Sequence, residues 1–308
     1  MDPCTFRVVV PKLRLALGGL DLLLRSSDGH LLRFEGEECY RSFVSPASGA
    51  VNQGTSIDIQ LTVVDRPIAE GRLILESSAT WSVLAQGPER VVVFRFLSDP
   101  SPVIVVRHEL GSSRLFVQCA PRLLEGDGRL RTLDCSLLRY PLDQILSMYL
   151  LADRGFILHA AGALVRGQGI VVSGVSGAGK TTFARLASGR PGWEPLSDDR
   201  VILTRAPNVS ELHGTPWPGE GRIAENRSGP LQWLLFLEQG DSNVVRPLTP
   251  REAIPRLFQT ASLPWFDAVS VGNGLKACEG VLEGTRCGVL TFRPDAGAVD
   301  AVEALLEA

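Results

Sequence analysis

The chain has 308 residues, 44% of them hydrophobic, with 31 Lys and Arg against 34 Asp and Glu and a formal net charge of −3. That length and apolar content suit a globular protein of two domains, and the slightly acidic balance excludes the basic field of a nucleic-acid partner. No apolar run approaches the roughly 18–20 residues of a membrane span, so no membrane partner is expected.

The opening stretch "MDPCTFRVVVPKLRLALGGLDLLL" lacks the charged, apolar and small-residue order of a secretion signal. Six scattered cysteines (Cys4, Cys39, Cys119, Cys135, Cys278, Cys287) form no C-x-x-C pair. The expectation is free thiols in a reducing, cytoplasmic setting. The four histidines are too far apart in sequence for a local zinc site.

Residues 1–135 read as a β-rich domain. Short apolar runs, "RLILE" (72–76), "WSVLA" (81–85), "RVVVFRFL" (90–97), "PVIVVRH" (102–108) and "RLFVQCA" (114–120), alternate with the turn signals "QGPE", "SDPSP" and "LGSS". Spacings this short leave no room for crossover helices, so an antiparallel meander is predicted.

The texture changes near Ser136, and residues 136–308 read as a second domain. In "YPLDQILSMYLLADRG" (140–155), Leu142, Ile145, Leu146, Tyr149 and Leu150 recur at helical spacing, with Gly155 as the stop. Strands follow at "FILHAAGALV", "GIVVSG", "WEPLSDD", "RVILTR", "QWLLFLEQ" (232–239) and "CGVLTFRP". Helices are expected at "KTTFARLAS", at 249–261 with Thr249 and Pro250 as cap and first position, across 265–283, and at 297–307. The fold class is α/β (α+β) with a mixed sheet, preceded by the β-rich antiparallel domain.

"GVSGAGKTT" (174–182) fits G-x-x-x-x-G-K-[ST] without a mismatch, between a strand and a helix. Glycines at 174, 177 and 179 permit backbone angles that aim successive N–H groups at phosphate oxygens, and the helix adds its positive end. Gly174, Ser176, Gly177, Ala178, Gly179, Lys180, Thr181 and Thr182 are therefore the candidate nucleotide-binding residues. Lys180 reaches the terminal phosphates as a point charge and the Thr181 hydroxyl suits Mg²⁺.

"LSDDRVIL" (196–203) places Asp198 and Asp199 at the end of the next strand. An acid this soon after the loop points to a kinase acting on a bound acceptor. One carboxylate would hold Mg²⁺ and the other would take the proton of the attacking hydroxyl. Neighbours on a strand point to opposite faces unless a bend at the strand end lets both reach the phosphates; Asp198 is assigned as base and Asp199 as metal ligand, with the exchanged assignment left open. His159 lies one hairpin upstream, on a strand folded back beside the loop, and is a further catalytic candidate.

The stretch "LHAAGALVRGQGIVVSGVSGAGKTTFARLAS…PLSDDRVIL" resembles the catalytic core of the HPr kinase/phosphorylase family, about 45 residues in the same order. The resemblance implies a P-loop kinase core of the type shared with phosphoenolpyruvate carboxykinases, binding ATP and Mg²⁺, with the histidine by the active site. "HGTPWPGEGR" (213–222) is similar to a segment in kinase-like relatives, which puts Gly214, Thr215, Pro216, Trp217, Glu220 and Arg222 beside a possible acceptor. Relatives with a "GTPW" stretch accompany peptide-modification genes, which implies a serine of a small protein or peptide, such as a modified-peptide precursor, as acceptor. The β-rich half and "SLPWFDAVSVGNGLKACEG" fall outside the resemblance, so neither HPr recognition nor the family's hexamer follows from it; a homo-oligomer stays open.

The function expected is an ATP- and Mg²⁺-dependent kinase in which the β-rich half presents or regulates the acceptor. A small-molecule kinase, carboxykinase chemistry and a non-catalytic nucleotide-binding switch are the alternatives.

Overall fold

The computed structural model describes residues 5–47, 55–78, 80–126, 131–151, 154–205 and 209–307. The chain divides into two compact units, Met1–Leu146 and Ser147–Ala308. The boundary falls inside helix α1 (Leu142–Leu150), eleven residues beyond the predicted one at 135/136. Its first turn belongs to the earlier unit because Tyr40 donates its hydroxyl to Asp143 Oδ2 at 2.7 Å.

Among the described residues, thirteen strands build the first unit. They are β1 (Thr5–Val10), β2 (Lys12–Leu17), β3 (Leu20–Ser26), β4 (Leu31–Glu37), β5 (Val44–Pro46), β6 (Thr55–Val63), β7 (Arg72–Ser78), β8 (Trp81–Gln86), β9 (Glu89–Phe96), β10 (Asp99–Glu109), β11 (Arg114–Cys119), β12 (Leu124–Glu125) and β13 (Thr132–Asp134). They form a four-stranded sheet, β1-β4-β13-β12, and a nine-stranded sheet, β5-β2-β3-β6-β11-β10-β9-β8-β7. Period-two burial sets the faces: in β2, Leu13, Leu15 and Leu17 point into the core. Each such fully buried Leu contributes about 1.5–3 kcal/mol.

From β7 to β11 the pairing is the predicted antiparallel meander. The purely antiparallel expectation is corrected at three places, where β3 pairs with β6, β6 with β11 and β4 with β13 in parallel. A parallel pair needs a long crossover. Here whole strands, not helices, supply it: β7 to β10 lie between β6 and β11 in the chain. Turn spacing reports neighbouring pairs only, so it carries no trace of these longer returns.

The second unit contains β14 (Gly155–Val165), β15 (Gln168–Ser173), α2 (Lys180–Ser188), β16 (Trp193–Ser197), β17 (Arg200–Arg205), β18 (Ser210–His213), β19 (Ser228–Gln239), β20 (Val244–Leu248), α3 (Pro250–Phe258), β21 (Ala261–Ser262), α4 (Ala268–Glu283), β22 (Arg286–Phe292) and α5 (Gly297–Glu307). The sheet order is β15-β14-β17-β18-β19-β22-β20, with β15 also joined to β19 and with β16 and β21 on β14. β15, β19 and β22 run parallel and the remaining pairs antiparallel, so the sheet is mixed.

Alternate residues feed two cores. Ile170, Val172, Leu235, Leu290 and Phe292 pack with Phe183 and Ala187 of α2 and Val299 and Val302 of α5. Val171, Leu234, Phe236 and Val289 pack instead with Ala253 and Leu257 of α3 and Ala277 and Val281 of α4. Helix α3 starts with the anticipated cap: Thr249 Oγ1 accepts from Glu252 N, and Glu252 Oε2 accepts from Thr249 N at 2.9 Å. Gly155, predicted to stop α1, instead opens β14. A Cβ there would sit 2.6 Å from the Leu203 carbonyl.

Cys39, Cys119, Cys135, Cys278 and Cys287 are free thiols, and Cys4 lies outside the described residues. Burial pushes the thiol of Cys119 up to about 12 and that of Cys287 to about 11, so both stay protonated at neutral pH. Among the described residues no helix is long and apolar enough to cross a membrane.

Candidate functional site

Strand β15 delivers the chain to the carboxyl edge of the sheet. Ser173 at its end pairs with Ala160 on β14 and with Phe236 on β19, and Gln239 on β19 pairs with Phe292 on β22. The 174–179 loop therefore emerges where three parallel strands end side by side, the edge at which open α/β sheets place their ligands. Gly177 and Gly179 have φ of +81° and +112°, left-handed values that side chains resist. Gly179 is also pressed against a ring, since a Cβ there would lie 2.5 Å from Phe292 Cε1. Helix α2 starts at the next residue.

Lys180 is 7% exposed. Its ammonium donates to the carbonyl oxygens of Gly174 (2.7 Å) and Val175 (3.2 Å), so the charge is folded back over the loop. Burial pulls its pKa below the usual lysine value, and Asp199 pushes back without cancelling that effect. Val175, Ser176 and Gly177 are exposed at the tip, Ala178 is buried, Thr181 is half-buried and Thr182 is exposed.

The acidic pair divides. Asp199 Oδ1 lies 2.8 Å from His159 Nε2, and Arg200 donates to Oδ2 of the same carboxylate. The side chains of His159 and Asp199 keep 34% and 21% exposure. Burial pushes the Asp199 carboxyl up, but the hydrogen bond to His159 and the charges of Arg200, His159 and Lys180 outweigh it and hold the group below its ordinary range. His159 itself is fixed through the backbone: its N–H donates to Thr260 O (2.9 Å), and Ser173 Oγ lies 3.2 Å from its carbonyl oxygen and 2.8 Å from Thr260 Oγ1.

Asp198 faces the other way. It is 1% exposed, and its carboxylate accepts three backbone N–H groups: Gly219 (3.0 Å) and Ile223 (3.2 Å) on Oδ1, and Gly221 (2.6 Å) on Oδ2. This corrects the assignment of Asp198 as the base. A carboxylate enclosed by three amides organises the 219–223 turn and presents no oxygen to an acceptor. Two glycines admit it so closely, because a Cβ on Gly219 or Gly221 would sit 2.9 or 2.7 Å from Asp198 Oδ2.

The residues predicted to border the acceptor split in the same manner. Thr215 is fully buried and donates to the Arg200 carbonyl at 2.6 Å, and Trp217 is buried as well, so both serve packing. Gly214 and Pro216, their chain neighbours, are buried too. Glu220 and Arg222 are exposed on the turn that Asp198 pins, with Arg222 at φ +56°.

Sequence reasoning missed four contributors: Arg200 on the Asp199 carboxylate, Ser173 and Thr260 behind His159, and Gln239, whose amide donates to the Gly177 carbonyl at 2.9 Å. Arg200 was discoverable as the base next to "DD". Thr260 lies 87 residues from Ser173 and left no local signal. No group of three or more His, Cys, Asp or Glu able to hold a metal occurs among the described residues.

Residues 142–278, less than half of the chain, match the family described as "SynChlorMet cassette protein ScmC". No curated protein matches. The solved Hpr(Ser) kinase/phosphatase from Coxiella burnetii is similar over 49% of this chain and 92% of its own, at 11% identity and a TM-score of 0.28. A likeness that slight leaves function to the chemistry of the site.

Proposed function

We propose that the Ser147–Ala308 unit is a phosphotransferase with a P-loop kinase core, moving the γ-phosphoryl group of ATP to a hydroxyl of a bound acceptor, a serine of a peptide or small protein. The observation that carries it is the placement of one ionised, solvent-reachable carboxylate, Asp199, within electrostatic reach of the lysine of a G-x-x-x-x-G-K-T loop.

The residues present suit Mg²⁺. A site of this type needs only a hydroxyl and one or two carboxylates, because phosphate oxygens and water complete the shell. Thr181 would hold the ion directly and Asp199 only through a bound water, which leaves the carboxylate to take a proton; the ion would offset charge on the phosphates. Lys180 balances negative charge at the loop, and the loop amides add a positive edge. His159 and Arg200 hold Asp199 in one orientation and keep it unprotonated. The acceptor oxygen forms the new bond to phosphorus, the bond to the bridging β-phosphate oxygen breaks, and the acceptor's proton passes to Asp199. Glu220 and Arg222 supply charge to the acceptor. The peptidyl serine rests on the sequence resemblance of the "GTPW" stretch, residues 214–217.

The test is transfer from γ-labelled ATP to a panel of free serine, myo-inositol, an HPr-like protein and peptides encoded near the gene, read by intact mass. Asp199→Asn is expected to bind ATP and lose about 10²–10⁴ in transfer rate. Comparable transfer by the variant would remove Asp199 from the chemistry. Tight ATP binding by the natural protein with no transfer to any acceptor would favour a nucleotide-binding switch.

A further inference from the structure

The phosphate loop has two unlike sides. It leaves β15, and the sheet order places β14 and β17 to one side of that strand and β19 and β22 to the other. His159, Asp199 and Arg200 all come from the β14–β17 side. On the β19–β22 side the loop borders a cleft of about 550 Å³ lined by Gly177, Gly179, Thr182, Asp241, Phe292 and Pro294, among others. That volume falls within the roughly 300–1,000 Å³ of small-molecule sites.

The cleft has one charged group, a largely polar lining and a small apolar side where Phe292 is buried and Pro294 is exposed. Phe292 packs against the loop backbone, close enough to forbid a Cβ at Gly179, and Pro294 continues that side outward. Gln239 ties the end of β19 to the loop through the Gly177 carbonyl, so cleft and loop form one surface. Asp241, two residues on, is exposed and has no ion pair or hydrogen bond among the described residues. A free carboxylate beside a phosphate site repels the phosphates, so its place there calls for a ligand group that donates hydrogen bonds. The vicinal hydroxyls of a ribose are such a group, and a carboxylate accepts both.

We infer, on the basis of the phosphate binding proposed above, that this cleft is the nucleoside subsite: Asp241 accepts hydrogen bonds from the ribose 2′- and 3′-hydroxyls, and Pro294 borders the base. The direction of the donor follows. Its reacting end faces Asp199, so the ester-linked end runs past Thr182 towards β19 and β22. Asp241 is then the residue that separates a nucleoside triphosphate from a bare polyphosphate.

Calorimetric titration of the full chain with ATP, 2′,3′-dideoxy-ATP and inorganic tripolyphosphate, each with Mg²⁺, tests this. The natural protein is expected to bind ATP about 10- to 100-fold more tightly than dideoxy-ATP, the range expected for hydrogen bonds to a charged acceptor. Asp241→Ala and Asp241→Asn are expected to remove that preference while tripolyphosphate binds as well as before or better. Preference for ATP over dideoxy-ATP that survives both substitutions, or equal binding of ATP and tripolyphosphate by the natural protein, would overturn the ribose site and leave the phosphotransferase standing. Binding of none of the three would overturn both.

Discussion

Two glycine-rich loops of the second unit solve opposite problems with the same backbone chemistry. In 174–179 the glycines serve conformation: Gly177 and Gly179 sit at positive φ, and the tip is exposed to solvent. In 219–223 the glycines serve proximity, because Gly219 and Gly221 admit the Asp198 carboxylate to 3.0 and 2.6 Å of their amides. One loop leaves its tip open to solvent, while the other is closed around an anion of the chain itself. Adjacent aspartates on one strand end are thereby committed to different tasks, and the comparison says which substitution disturbs chemistry and which disturbs structure.

The largest effect expected is on turnover. Asp199→Asn removes the charge that faces the loop, for a loss of about 10²–10⁴ in transfer, with little change in melting temperature because the side chain is partly exposed. Since neighbouring charges hold Asp199 below the ordinary carboxylate range, a pH–rate profile should stay flat through that range and fall only in stronger acid. A fall beginning within the ordinary range would mean that Asp199 is not the group titrating.

Asp198→Ala is the structural counterpart. It strands three half-buried amides, at up to about 1–3 kcal/mol for each unsatisfied group and with partial relief by water and relaxation. A stability loss of about 3–5 kcal/mol in urea unfolding is expected. A loss below about 1 kcal/mol would show that the 219–223 turn stands without it.

How much of this was legible follows from distance along the chain. The phosphate loop is contained in eight consecutive residues, and its flanking strand and helix have clean periodicities, so every part of the signal is local. The partners of Asp198 lie 21 to 25 residues away, and the glycine pair in "PGEGR" reads as an ordinary turn until the carboxylate it encloses is known. Neighbours on a strand face apart, yet both aspartates were expected at the loop, Asp198 as base and Asp199 as metal ligand; only the amides around Asp198 separate them. In the first unit the meander from β7 to β11 was readable from turn spacing, whereas β6 joins β3 and β11 in parallel across many intervening residues. Nothing in a local window encodes that return.

A third effect separates the loops by pH. His213 ends β18, immediately before Gly214, and burial pulls its pKa down to about 4 from 6.5. The folded state holds it neutral with Nε2 2.8 Å from Thr204 Oγ1, and Glu211 3.6 Å away is the nearest acid. The unfolded chain takes up the proton first, so the contribution is complete above the ordinary value of 6.5 and is lost progressively as the pH falls towards about 4. At about 1.36 kcal/mol per unit, the loss reaches roughly 3 kcal/mol. His213→Asn should flatten the slope of stability against pH between those limits, while an unchanged slope would place the acid sensitivity elsewhere.

The smallest effects sharpen the contrast most. Gly177→Ala meets open space but must hold a left-handed φ, at a cost of about 1–2 kcal/mol. Gly221→Ala has no such dihedral, yet its Cβ would meet Asp198 Oδ2 at 2.7 Å. The two costs therefore couple differently to Asp198. In an Asp198→Ala background the Gly221 substitution loses its collision partner and should become nearly neutral, a coupling of at least about 1 kcal/mol. Gly177→Ala should keep its full cost there, because its strain is in its own backbone. Additivity at both positions would mean that Gly221, like Gly177, is required for conformation, and the distinction between a loop shaped by its own dihedrals and one shaped around a carboxylate would fail at that residue.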